Sequence, residues 1–234
     1  MKREYFLFDG KDSRDFYCYL ARSNMMLDAP KRVQEEIEIP GRNGTLIVDG
    51  GRYENMPGKA TVYVTKDIVR NMTALKGWLL SETGYKRYEE STDPDVYRLA
   101  KLNDGIEVEG ADHVAGYFDL NFTCKPQKYL KSGEIPIKLT SSGEILNPTR
   151  FPSKPLLEVT GTGTITISGQ LIQINKNDAE MTIDTEIMEA YYGSTSLNSD
   201  VVLPEEFNLQ GGRNSIVLSS GITAVNIYPR WWRL

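Results

Sequence analysis

Asp184 and Glu186 stand two residues apart in a strand-like stretch. Residues of one parity share a face of a strand, so the two carboxyls form a candidate pair for glycoside hydrolysis. The plainer reading is the solvent side of a sheet, where Asp and Glu are ordinary, and it is preferred. His113, the single histidine, lies between Asp112 and Val114 at the mouth of a predicted strand. No nucleophile motif marks a reactive Ser or Cys near it, so it reads as a surface or loop histidine and not a general base. Cys18 and Cys124 are the only cysteines, too few and too far apart in sequence for a disulfide framework or a zinc site, and are expected as two buried thiols. Gly161-Thr162-Gly163 opens like a dinucleotide fingerprint, but Thr164-Ile165-Thr166-Ile167 continues as a strand, so the glycines are expected in a hairpin turn. The sequence has no phosphate loop, no metal-ligand spacing and no Gly-x-Ser-x-Gly elbow. The expectation is a protein that is not an enzyme and takes no cofactor and no metal.

Binding is the other chemistry on offer. Tyr191-Tyr192 and Trp231-Trp232 are aromatic pairs able to stack a sugar ring, although neither comes with a defined polar constellation to orient one. The C-terminal run Ile227-Tyr228-Pro229-Arg230-Trp231-Trp232-Arg233-Leu234 has no polar tail, so Arg230, Trp231, Trp232 and Arg233 are expected either to pack on their own domain as a final strand or to anchor a neighbouring subunit. Trp78 falls in a helical apolar stripe, which favours a core role over a ligand platform.

These residues sit in a chain of 234 with 40% hydrophobic and 25% charged content, enough for two domains with a core each. Twenty glycines and 13 tyrosines tilt the expectation toward turns and strands. The net charge of −5, with scattered basic residues, provides no field for nucleic acid or an anionic membrane. No apolar run approaches the ~20 residues of a membrane span, and Met1-Lys2-Arg3-Glu4 leads into an alternating strand and not a signal-peptide core, so synthesis in a cytoplasm is expected.

Short strands are predicted over 4–8 and 15–20. Val33, Ile37 and Ile39 share a parity, and Pro40-Gly41-Arg42-Asn43-Gly44 separates them from Thr45-Leu46-Ile47-Val48 as a hairpin. Gly50-Gly51 and a turn at Asn55-Met56-Pro57-Gly58 precede a strand over 60–64. Ile68, Met72, Leu75, Trp78 and Leu79 mark one amphipathic helix, with Asp67 as N-cap and Gly84 beyond its end. Further strands are expected over 85–88, 96–102 and 115–124. The composition changes between Lys125 and Pro152, where the chain is cut into domains of residues 1–130 and 131–234. The second domain reads as short strands over 155–160, 163–168, 170–175, 180–185 and 215–218, the pattern of a β-sandwich.

Taken in order, Pro40-Gly41-Arg42-Asn43-Gly44, Phe122-Thr123-Cys124-Lys125-Pro126-Gln127, Asn147-Pro148-Thr149-Arg150-Phe151-Pro152-Ser153-Lys154-Pro155 and Gly211-Gly212-Arg213-Asn214 give a chain that resembles the distal tail protein (Dit) family of long non-contractile-tailed phages over nearly its whole length. The resemblance implies a mainly β protein. Its N-terminal β-sandwich, with one α-helix, forms a homohexameric ring, and its C-terminal galectin-like sandwich, shaped like a carbohydrate-binding module, projects outward. It implies a virion structural role at the tail tip, as a hub joining the tail tube protein to the baseplate, tail-fibre or receptor-binding apparatus during host attachment. A carbohydrate-binding module contacting cell-surface glycans is the alternative, and a cell-wall glycan hydrolase comes third. That no sugar-reading motif accompanies the aromatic pairs favours assembly over glycan binding.

Overall fold

The computed structural model describes residues 3–81, 83–103, 105–106, 108–111, 115–177 and 180–234. The chain forms two compact units, one running to Lys128 and the other spanning Tyr129–Arg233.

The first unit contains β1 (Phe6–Phe8), β2 (Lys11–Asp12), β3 (Cys18–Ser23), β4 (Arg32–Glu38), β5 (Thr45–Tyr53), β6 (Met56–Val64), α1 (Ile68–Ser81), β7 (Lys86–Glu90), β8 (Val96–Leu102), β9 (Val108–Ala111) and most of β10 (Gly116–Leu130). Its main sheet has the order β2-β1-β7-β8-β10-β6-β3, with β9 also paired to β10. Strict alternation builds its inner face. Ala60, Val62 and Val64 of β6 lie opposite Leu120, Phe118 and Gly116 of β10, and all are buried. The expected N-terminal sandwich is thus one continuous hydrogen-bonded sheet with a helix against its buried face. Met72, Leu75, Trp78 and Leu79 form the inward stripe of that helix. Trp78 is core, stacked on Phe16 at 5.0 Å and Phe6 at 6.0 Å, with Phe8 tilted against it. Asp67 does not have the extended backbone of an N-cap, since its φ is +41°.

Four local expectations change. Ser13–Phe16 is a 3-10 turn, so the predicted strand over 15–20 starts only at Cys18. Strand β5 continues through Gly50-Gly51 to Tyr53. Pro57-Gly58 lies inside β6 and is not a turn; a Cβ at residue 58 would come within 2.2 Å of Met25 Sδ and 2.8 Å of Cys124 Sγ, so glycine is there for close packing. The stretch 125–152 holds the end of β10 and two further strands.

Inside this apolar face sits one fully buried cation. Arg98, in the inward row Val96-Arg98-Ala100 of β8, donates through its terminal nitrogens to the carbonyls of Asp28 (2.9 Å), Pro126 (3.1 Å) and Lys125 (3.2 Å). Burial pushes its pKa down, an effect opposed by Cys124, Asp28 and Glu90. Buried Lys128 adds a bond from Nζ to the Met26 carbonyl at 3.0 Å. Both cations therefore hold the segment between β3 and β4, whose turn closes through Asn24 and Asp28.

The second unit is a sandwich. Its strands are β11 (Ile137–Leu139), β12 (Gly143–Asn147), β13 (Leu156–Gly161), β14 (Gly163–Ile167), β15 (Gln170–Ile174), β16 (Glu180–Asp184), β17 (Glu189–Tyr192), β18 (Thr195–Ser196), β19 (Val201–Val202), β20 (Gly212–Leu218), β21 (Ile222–Tyr228) and β22 (Trp232–Arg233). One sheet runs β11-β21-β13-β16-β17-β18 and the other β12-β20-β14-β15-β19. Leu157, Val159, Ile183, Val225 and Ile227 of the first face Ile145, Ile165, Ile172 and Ile216 of the second in one core. Gly161-Thr162-Gly163 is not a hairpin turn, because β13 and β14 belong to different sheets; it carries the chain across. Gly161 has φ +103°, and a Cβ there would sit 2.2 Å from the Gly221 carbonyl oxygen.

Replacing Arg98 by Met would leave the buried Pro126 carbonyl and the part-buried Asp28 and Lys125 carbonyls without this donor. At about 1 kcal/mol each, the variant should lose about 3 kcal/mol, read as a lower urea midpoint at unchanged slope.

Candidate functional site

The residues singled out in the C-terminal run converge on the second unit. Arg230 has φ +55°, and this left-handed kink turns its side chain onto β16 while its N–H donates to the Gly133 carbonyl at 2.9 Å. Its guanidinium grips Asp184 with both terminal nitrogens, at 2.7 and 2.8 Å, and lies 3.7 Å from Glu186. Burial opposes ionisation of Asp184, but the Arg230 hydrogen bonds and charge, with the backbone N–H groups of Glu186 and Ile187, outweigh it and hold the carboxyl below its usual range. Arg230 is shifted up correspondingly, chiefly by its hydrogen bonds to Asp184. The carboxylate nominated for glycoside chemistry is thus the anchor of an arginine clamp.

Trp231 is buried in the sandwich core, and its carbonyl accepts from the Leu130 N–H at 2.8 Å. A Cβ at residue 133 would meet Trp231 N at 2.4 Å, so only glycine allows this approach. Trp232 is half-buried, stacked on Phe151 at 4.5 Å, with its indole N–H donating to the Pro152 carbonyl at 2.9 Å. Arg233 is exposed. The two indoles are therefore separate packing elements of one segment and do not make a joint sugar platform. Tyr191 and Tyr192 are consecutive on β17, so they face opposite sides: Tyr191 is half-buried and Tyr192 is 56% exposed.

The remaining reactive groups are quiet. Burial raises the Cys18 thiol far above the usual range and lifts Cys124 to about 11, so neither is a thiolate at neutral pH. A cleft lined in part by Glu4, Arg22, Ser23, Glu90 and Asp93 contains three carboxylates, two of which are engaged by hydroxyl donors. Glu4 accepts from Ser91, and Glu90 from Ser23, Tyr88 and Thr92. Among the described residues no three His, Cys, Asp or Glu side chains group as metal ligands. His113 lies outside the described residues.

The hairpin expected around Pro40-Gly41-Arg42-Asn43-Gly44 is the β4-β5 ribbon, a two-stranded sheet of its own. Ile37 pairs with Leu46 and Glu35 with Val48, so these residues share one face with Ile39. The opposite face carries Glu36 beside Ile47 and Gln34 beside Asp49. On the apolar face Ile37, Ile39, Leu46 and Val48 are 37–45% exposed. An isolated two-stranded hairpin is marginal in water, so this face calls for a partner.

The Asp184 clamp sets a pH test. Its depressed carboxyl contributes stability above the unfolded value of about 3.9, and the contribution is lost as pH falls through the folded value. Asp184→Asn should unfold at lower urea than the parent protein at pH 7, and the gap should close as pH falls through the folded value of the Asp184 carboxyl. Trp231→Ala should cost about 3–5 kcal/mol, and Trp232→Ala much less, in the same titrations.

No family model and no curated protein sequence matches the chain. Among solved structures it is similar to the SPP1 Dit protein, described as a paradigm of the hub of the adsorption apparatus in phages that infect Gram-positive bacteria. The alignment covers 100% of both chains, with a TM-score of 0.77 and 14% sequence identity. From its first strand to its last, the chain has the fold of that hub protein.

Proposed function

We propose that this protein is a structural subunit of a phage or prophage-derived tail tip, a distal tail hub that works by assembly and not by catalysis. Copies associate into a homohexameric ring through the N-terminal domain, residues 1–130. The galectin-like C-terminal domain, residues 131–234, projects outward as a docking platform. The ring joins the tail tube protein to the tail-tip, baseplate or receptor-binding apparatus, and the protein resides in the virion.

The observation that carries this reading is the amphipathic β4-β5 ribbon with its uncovered apolar face, in a chain whose whole length follows the fold of a tail hub. A ribbon of this kind gains stability when a neighbour covers it, as a ring subunit requires. The acid-base candidates support the same reading, since Asp184 is committed to Arg230.

Negative-stain microscopy and light scattering of the purified full chain test it together. The expected result is a six-fold ring with a central hole. A protein that stays monomeric at every concentration up to about 100 μM, well above the Kd of an interface worth about 8 kcal/mol, would contradict it.

A further inference from the structure

The ribbon has a counterpart elsewhere on the first unit. On the outer face of the main sheet, Tyr19 of β3, Tyr63 of β6 and Tyr117 of β10 lie in register, Tyr19 opposite Tyr63 and Tyr63 opposite Tyr117. Their rings follow one another at 5.8 Å and 5.8 Å. Tyr117 is 46% exposed, and Tyr19 and Tyr63 are half-buried. This row is a continuous aromatic surface on the side of the sheet turned away from the helix, since it alternates with buried Leu20, Val62 and Phe118. The Arg3 guanidinium stacks over Tyr19 at 4.9 Å. In the next polar row Arg22 donates to Thr61, Thr61 donates to Asp119, and Lys59 pairs with Asp119.

We propose that this tyrosine ladder is the seat for the apolar face of the β4-β5 ribbon of a second copy of the chain. Three observations favour that occupant. First, the chemistry matches: four exposed aliphatic side chains, Ile37, Ile39, Leu46 and Val48, meet three adjacent aromatic rings. Second, the charges match. Strand β4 carries Glu35, Glu36 and Glu38, whereas on the ladder's side of the sheet, among the described residues, Arg3 stacks on Tyr19 and Arg22 and Lys59 lie beside Asp119. Third, the ribbon does not cover the ladder of its own chain. Its apolar side chains Ile37, Ile39, Leu46 and Val48 are 37–45% exposed in the single chain, so they are not seated on a surface of their own chain. Donor and acceptor on different parts of one chain make a head-to-tail contact, and such contacts close into a ring when the rotation between copies permits.

This inference rests on the assembly reading and can fail separately from it. The test uses two full-length variants, Leu46→Asp, which damages the ribbon, and Tyr117→Asp, which damages the ladder. Both positions are solvent-exposed in the single chain, so each variant should keep the parent's circular dichroism. By sedimentation, each alone should lose at least tenfold in assembly affinity. Mixed in equal amounts, they should form a heterodimer and stop there, because the Leu46→Asp copy still offers a ladder and the Tyr117→Asp copy still offers a ribbon. Should either variant fail to fold, the double variant Ile37→Cys/Tyr117→Cys replaces it; mild oxidation should then give crosslinked multimers on a denaturing gel, while buried Cys18 and Cys124 stay unreacted. Normal rings from Tyr117→Asp would overturn the ladder as acceptor and leave the ring reading intact. Loss of assembly in Leu46→Asp alone, with no heterodimer in the mixture, would likewise overturn it in favour of ribbon-to-ribbon pairing. A parent protein that never assembles would remove both the reading and the inference.

Discussion

Arg98 fixes where the exposed ribbon begins. Its guanidinium is fully buried in the apolar face of β8, where its terminal nitrogens donate to the carbonyls of Asp28, Lys125 and Pro126. A buried charge held this way is costly to place and costly to disturb, so the segments that supply the carbonyls are locked to one geometry. One of those segments is the turn through Asn24 and Asp28, which delivers the chain to β4. The ribbon is solvent-exposed along its length but anchored at its root, a combination suited to presenting one face to a neighbour.

The groups that looked chemical in the sequence are spent on architecture in the fold. Asp184 holds Arg230, Arg230 kinks the last segment, and the kink delivers Trp231 to the sandwich core beneath Gly133. Neither thiol is accessible or acidic. The surface of the first unit also presents aliphatic side chains on one strand pair and tyrosines on another face.

Much of the local structure was legible. The stripe Met72, Leu75, Trp78 and Leu79 is read correctly because a helix buries one face at a period that few other patterns mimic. The ribbon is equally clear from the parity of Val33, Ile37 and Ile39 before a glycine-bounded turn and the run Thr45-Leu46-Ile47-Val48 after it. The exposure of its apolar face was not legible, because alternation reports that a face is apolar and says nothing of which molecule covers it. Glycine misled twice, at Gly58 and at Gly161, where it serves close approach to Met25 and to Gly221 and does not make the expected turn. Arg98 gave no signal either, since a single arginine in a strand usually points to water. The tyrosine ladder depends on the register of three strands far apart in sequence, which composition cannot supply.

The central claim is that the β4-β5 ribbon is an assembly element covered by another copy. Hydrogen exchange of residues 32–53, followed by mass spectrometry across a dilution series of the full chain, measures that cover directly. The account predicts slow exchange in the concentrated, assembled protein and exchange at least tenfold faster once dilution releases single chains, while the buried strands β6 and β10 stay protected throughout. Exchange over 32–53 that is fast and independent of concentration, in a protein shown to be assembled, would contradict it.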